Sequence, residues 1–191
     1  MTDQNWDSHL PLPYQSLSHY QWTPIQIVEL TWEYLQKQTI RSVVDLGSGV
    51  GKFCLHLATL SKGRFPIVGI EDRSDLFTVS ETLREKWNLS SVSFLNQSFL
   101  EDFPLGHSHY YAFNPLYETM KASFSIDMQK EKSALLFLQS VQILKNHLFR
   151  CKVGTKLITY HGFGGSVLPG YQLVLKKELE MGEWAVWERV V

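Results

Sequence analysis

The chain is poor in cysteine. Cys54 and Cys151 are the two it has in 191 residues, far apart and without C-x-x-C spacing. That argues against a disulfide framework and against a zinc site, since both need clustered ligands. His107 and His109 stand two apart with no third ligand near in sequence, so no metal site is expected. Charge of one sign is also missing in any long run, and the formal net charge is −1. A strongly electrostatic nucleic-acid binder is disfavoured, although a local basic patch stays compatible with these numbers. No apolar run approaches membrane-spanning length, and residues 1–10 are polar with Asp3 and Asp7 among them. Neither a membrane partner nor a signal peptide is expected, and the default is a soluble cytoplasmic protein. Repeats, low-complexity stretches and an internal boundary are lacking as well. What remains is a chain that is 44% hydrophobic, long enough for one domain over 1–191 with a substantial core.

Residues 1–22 show no periodicity and carry the aromatics Trp6, Tyr14, Tyr20 and Trp22. They predict an irregular arm lying over the domain. Thr23-Pro24 reads as an N-cap followed by proline at the first helical position, opening a helix to about Gln38. Short apolar runs at Ser42–Leu46, Pro66–Ile70, Val92–Leu95, His109–Phe113 and Thr155–Tyr160 read as buried strands. Helices are expected between them at Gly51–Ser61, Ser74–Trp87 and Ser123–Phe149, the last with Leu135, Leu138, Val141 and Leu144 on one face. Tyr171–Leu179 and Trp184–Val190 read as a terminal antiparallel hairpin. Strands alternating with helices imply an α/β fold, a doubly wound and mostly parallel sheet covered on both faces. About ten residues, His161–Gly170, separate the fifth strand from the hairpin, too few for the usual crossover helix.

The most informative stretch is Val43-Val44-Asp45-Leu46-Gly47-Ser48-Gly49-Val50-Gly51. A buried strand runs into an acid, then three alternating glycines, then a helix. Glycine lets backbone approach a ligand because no Cβ stands in the way, and a helix N-terminus offers unpaired N–H groups. A dinucleotide fingerprint would read G-x-G-x-x-G; here the third glycine comes one residue early. Asp45 would repel a pyrophosphate but pair with an ammonium. Glu71 ends the second strand, where an acid can accept hydrogen bonds from ribose hydroxyls.

This D-x-G-x-G-x-G loop resembles the cofactor loop of class I S-adenosylmethionine-dependent methyltransferases. The resemblance implies a seven-stranded sheet and S-adenosylmethionine as cofactor. It implies cofactor contacts from Asp45, Gly47, Ser48, Gly49, Gly51, Glu71 and Asp72, with Ser98 and Phe99 after the third strand at the adenine. Gln97 and Ser98 stand where such enzymes often carry an acid. Phe113-Asn114-Pro115-Leu116-Tyr117 resembles the N-P-P-Y motif of methyltransferases acting on planar nitrogen, with Leu116 in place of the second proline. That assigns Asn114 and Tyr117 to the acceptor, and Asn114 to the cofactor edge too. The loop, with Gly69-Ile70-Glu71 and Phe113-Asn114, is also similar to non-SET histone-lysine methyltransferases, over about residues 40–117 and for the cofactor half. On this reading 1–38 form an arm and helix, 39–160 the cofactor-binding core, and 161–191 a loop and hairpin. In this superfamily residues placed like Tyr20, Trp22 and Thr23 often close over the cofactor. His161 reads either as a general base or as an idle loop histidine. A protein side chain, a nucleobase and a small molecule all fit as acceptor. The alternatives are a non-catalytic S-adenosylmethionine-binding regulatory module and a nucleotide-dependent oxidoreductase.

Overall fold

The computed structural model describes residues 1–116 and 133–191, and the side chains of all these except His19 and Tyr20. Five parallel strands are laid down in the order the pattern predicts: β1 Val43–Leu46, β2 Ile67–Glu71, β3 Val92–Asn96, β4 His109–Phe113 and β5 Lys156–Tyr160. The terminal hairpin adds β6 Tyr171–Leu179 and β7 Gly182–Arg189. Together they form one seven-stranded sheet in the order β3-β2-β1-β4-β5-β7-β6. β7 is antiparallel to both its neighbours, β5 and β6. The ten residues between β5 and β6 hold no helix, as their number requires.

The sheet buries both faces. Alternate β1 residues serve opposite cores: Val43 joins Ile27, Val28, Phe53 and Leu57 on one side, Val44 joins Leu144 and Leu148 on the other. This is why β1 reads as a continuous apolar run broken only by Asp45. The first face carries α4 Ile25–Leu35, α5 Lys52–Ser61 and α6 Ser74–Lys86; the second carries α7 Ala134–Phe149. Phe53 of α5 stacks on Tyr111 of β4 with ring centroids 3.7 Å apart. Trp184 of β7 donates from Nε1 to Thr31 Oγ1 of α4 at 3.0 Å. Burial of these aromatics fixes the helices on the sheet.

Three expectations need correction. Residues 1–22 form three short helices, α1 Asp3–Asp7, α2 Leu12–Gln15 and α3 Ser18–Gln21. Thr2 caps α1 by accepting from the Asn5 N–H. They are too short for a 3.6-residue period to show in sequence. Thr23 is not a cap: α4 starts one residue later, and its first amide, Ile25 N–H, donates to Asp3 Oδ1 at 2.9 Å. The helix is capped from the arm, by a residue 22 positions away. On α7, Val141, Leu144 and Leu148 are buried, but Leu135 and Leu138 are exposed at 66% and 61%; its proposed start at Ser123 lies outside the described residues. Among the described residues no helix is long and apolar enough to cross a membrane.

Candidate cofactor site

β1 lies between β2 and β4, and the chain crosses from β3 at one edge to β4 on the other side of β1. The carboxyl ends of β1 and β4 therefore flank the crevice of a topological switch point. Gly47, Gly49 and Gly51 leave β1 with φ of 80°, 55° and 80°, a left-handed region that disfavours residues with a Cβ.

The loop does not spend its amides as the sequence suggests. Gly47 and Ser48 donate to Ile70 O, Gly51 to Ser48 O, and Gly49 to the Glu71 carboxylate at 2.9 Å. These four donors are used within the protein. Two of the glycines also make room for the protein's own rings. A Cβ on Gly49 would stand 2.7 Å from the Trp22 indole, and one on Gly51 2.6 Å from Phe94. At Gly47 the nearest atoms, in Phe99 and Pro115, are at ordinary contact distances of 3.8 and 3.9 Å. Gly47 is thus the loop glycine with space before it.

Two carboxylates are buried beneath the loop. Asp45 is 3% exposed and faces α5, where the Cys54 thiol donates to it at 3.5 Å. Burial pushes its carboxyl up to about 7, against the thiol hydrogen bond, with the Glu71 charge adding to the rise. Glu71 accepts Gly49 N–H on one oxygen and Arg73 N–H on the other. Burial raises its pKa despite those bonds, and Asp72 beside it adds to the shift. Among the described residues neither Asp45 nor Glu71 has an ion-pair partner. An uncompensated buried carboxylate is costly, and a nearby cation would relieve it. The donor set therefore suits a ligand that brings positive charge to Asp45 and hydroxyls to Glu71, whose oxygens each keep acceptor capacity. S-adenosylmethionine, with its ammonium, sulfonium and ribose, fits.

The remaining expected residues divide. Phe99, 8% exposed, packs in the second core and borders Gly47. Asn114 ends β4 with φ 44°, so Pro115 turns over Gly47. Leu116, where the related motif has proline, is buried in the second core. Ser98 sits in a local turn, its hydroxyl accepting Leu100 N–H at 3.3 Å. Ser48 Oγ is buried without a hydrogen-bond partner among the described residues, and a Cβ on Gly69 would meet it at 2.8 Å; it borders β2. Asp72 is exposed beside Glu71. His161 has φ 63°, its ring 4.2 Å from Tyr160 and against Gly182. Burial lowers its pKa. Tyr117 lies outside the described residues. Thr23 Oγ1 accepts from Tyr111 OH at 3.2 Å.

Sequence reasoning missed what holds the arm down. Lys52, directly after Gly51, is 1% exposed and reaches Asp3 at 2.6 Å, Asp7 at 2.7 Å and Ser18 Oγ at 3.1 Å. The available signal was the i, i+4 pair Asp3 and Asp7, which one helical face presents together. The arm then continues over the loop: Tyr14 OH donates to Asp75 at 2.9 Å, and Trp22 Nε1 to Tyr14 O at 3.0 Å.

No family model matches the chain. Among curated proteins it is similar to the 23S rRNA (uracil(1939)-C(5))-methyltransferase RlmD of Acinetobacter baumannii, 33% identical over 78 residues, or 41% of this chain. That alignment spans 17% of the relative's length. Among solved structures, TrmN from Thermus thermophilus superposes with a TM-score of 0.66 at 14% identity, covering 88% of this chain and 49% of that one. A ribosomal protein L11 methylase from Lactobacillus delbrueckii subsp. bulgaricus gives 0.58 at 15% identity, covering 87% and 78%. Likeness at this identity establishes the fold.

Proposed function

We propose that this chain, which has the fold of class I S-adenosylmethionine-dependent methyltransferases, is itself such an enzyme, working as a single cytoplasmic domain. The observation that carries the reading is the pair of buried carboxylates, Asp45 and Glu71, without a cation among the described residues, under a glycine loop at the switch point. Asp45 would supply the counter-charge for the cofactor's ammonium, Glu71 would accept its ribose hydroxyls, and Phe99, which borders Gly47, would pack against its adenine. Asn114 would accept the acceptor N–H on its amide oxygen, and the motif resemblance assigns Tyr117, outside the described residues, to the acceptor as well. Bound S-adenosylmethionine supplies a methyl group already activated on sulfonium. The chain has to orient an acceptor in line with it and exclude water. A nitrogen in a planar group is the acceptor chemistry that Asn114-Pro115 favours; the RlmD similarity brings a nucleobase into the test panel.

Calorimetry of the purified protein with S-adenosylhomocysteine tests this directly. Saturable binding is expected, weakened tenfold or more in Glu71→Gln. Absence of binding by both S-adenosylmethionine and S-adenosylhomocysteine would sink the proposal. Binding without methyl transfer to RNA, protein or small-molecule acceptors would favour a second reading, a non-catalytic cofactor-binding module. The replacement of the motif's second proline by a buried Leu116 is what keeps that reading in view.

A further inference from the structure

A cavity of about 590 Å³ lies where the arm crosses the carboxyl ends of α5 and α6. α5 starts at the glycine loop and ends at this cavity, so the two are separated by a helix roughly 15 Å long. Six of its lining residues carry chemistry: Trp6, His9, His56, Lys62, Trp87 and Asn88. The Trp87 ring meets Trp6 at 5.8 Å and His9 at 5.1 Å, both edge to face. No Asp or Glu lines the cavity among the described residues. His56 is 5% exposed; among the described residues its Nε2 has no hydrogen-bond partner and faces the Glu29 carboxylate of α4 at 3.8 Å.

These features select among ligands. Aromatic walls suit a planar ring or a cation. A cation is disfavoured, because no carboxylate lines the cavity, Lys62 borders it, and Lys52 Nζ already stands 5.4 Å from the Trp6 ring centre. A deeply bound anion is disfavoured too, because the carbonyl ends of two helices point this way. An uncharged planar heterocycle with polar edges meets both limits. Asn88, exposed at the rim, offers a donor and an acceptor. Lys62, exposed at the rim, can hold a phosphate that stays outside. The volume lies within the usual range for small-molecule sites.

We propose that this cavity is a nucleobase-binding site, taking a base against Trp87 and its phosphate at Lys62, separate from the glycine loop. The ligand chemistry is that of a nucleotide, either free or within a single strand of RNA. This holds whether or not the chain transfers methyl groups.

The full chain is titrated calorimetrically with AMP, UMP and a six-nucleotide single-stranded RNA, each with and without saturating S-adenosylhomocysteine. Base stacking on one or two rings predicts a dissociation constant around 0.1–1 mM for a monophosphate. Affinity is expected to fall about tenfold in Trp87→Ala, to recover largely in Trp87→Phe, and to fall several-fold in Lys62→Glu. S-adenosylhomocysteine is expected to leave binding unchanged. Binding of the RNA and not the monophosphates identifies a strand as the source; equal binding identifies free nucleotide. Absence of saturable binding for all three, binding untouched by both Trp87→Ala and Lys62→Glu, or full competition by S-adenosylhomocysteine would each overturn the proposal. Lys62→Glu changes a solvent-exposed residue, so it keeps the test valid should Trp87→Ala fold poorly.

Discussion

Lys52 and Asp45 are buried ionisable groups at the two ends of one short stretch of chain, and their surroundings are opposite. Lys52 has two carboxylates and a hydroxyl within 3.1 Å. Asp45 has a thiol at 3.5 Å, a second buried carboxylate nearby and no cation among the described residues. Burial costs both ends the same kind of desolvation. At Lys52 the protein compensates it fully, and the product is structural: an arm fastened across the glycine loop. At Asp45 the protein leaves it uncompensated. A group that stays buried without its counter-charge is a candidate for a site where a ligand brings it.

The most disruptive way to test this contrast is Lys52→Ala. It leaves Asp7, 8% exposed, without its cation, and breaking a buried pair costs on the order of 3 kcal/mol. Urea denaturation should show that loss, and limited proteolysis should cut first within residues 1–22. A loss under about 1 kcal/mol would mean that the cluster behaves as an exposed ion pair and that the arm is held by its aromatics instead.

Asp45→Asn should act in the opposite direction on stability. A carboxyl raised from 3.8 to about 7 in the fold binds its proton more tightly folded than unfolded. The folded state is therefore penalised progressively as pH rises from about 4 to 7, and the penalty is complete above 7. The amide removes it. The ligand-free variant should be more stable than the parent at pH 8, by up to about 4 kcal/mol, with the gain fading toward pH 4. Its affinity for S-adenosylhomocysteine should fall tenfold or more. Parent protein should also release a proton when the cationic ligand binds near pH 7, visible as a buffer-dependent calorimetric enthalpy. A variant that is destabilised at pH 8 would show that Asp45 is a structural acceptor for Cys54 rather than a waiting counter-charge.

The sheet was legible because its signals are local. Buried strands such as Val43–Leu46 are apolar runs, and a glycine loop punctuates the chain where it turns. Asp45, Glu71 and Asn114 could be placed because strand ends are where such sheets bind ligands. Contacts made across the sequence were not legible. Asp3 capping α4, and Asp3 with Asp7 enclosing Lys52, depend on how the arm docks; the i, i+4 spacing of Asp3 and Asp7 shows that they share a face but not which cation that face meets. The pattern also misread α7. Leu135 and Leu138 follow the helical period of Val141 and Leu144, yet the buried stripe begins one turn later, because periodicity reports a face and not where its cover ends. The glycines were singled out as a ligand loop; what the structure adds is that Gly49 and Gly51 make room for Trp22 and Phe94.

The smallest and most discriminating comparison is Gly49→Ala against Gly47→Ala. Both positions have positive φ, which costs a residue with a Cβ about 1 kcal/mol. At Gly49 the added methyl also stands 2.7 Å from the Trp22 ring, so the indole must shift and the total approaches about 2 kcal/mol. At Gly47 the methyl meets only ordinary contacts, and stability should fall by the backbone term alone. Ligand affinity should rank the other way. The Gly47 methyl enters the space beside Phe99 and Pro115 and should weaken S-adenosylhomocysteine at least tenfold, while Gly49→Ala should weaken it less. Thermal unfolding and calorimetry on the two variants give both orders. If Gly49→Ala is the worse binder and Gly47→Ala binds as the parent does, the ligand lies on the Trp22 side of the loop, and the arm that Lys52 fastens would have to move for it to enter.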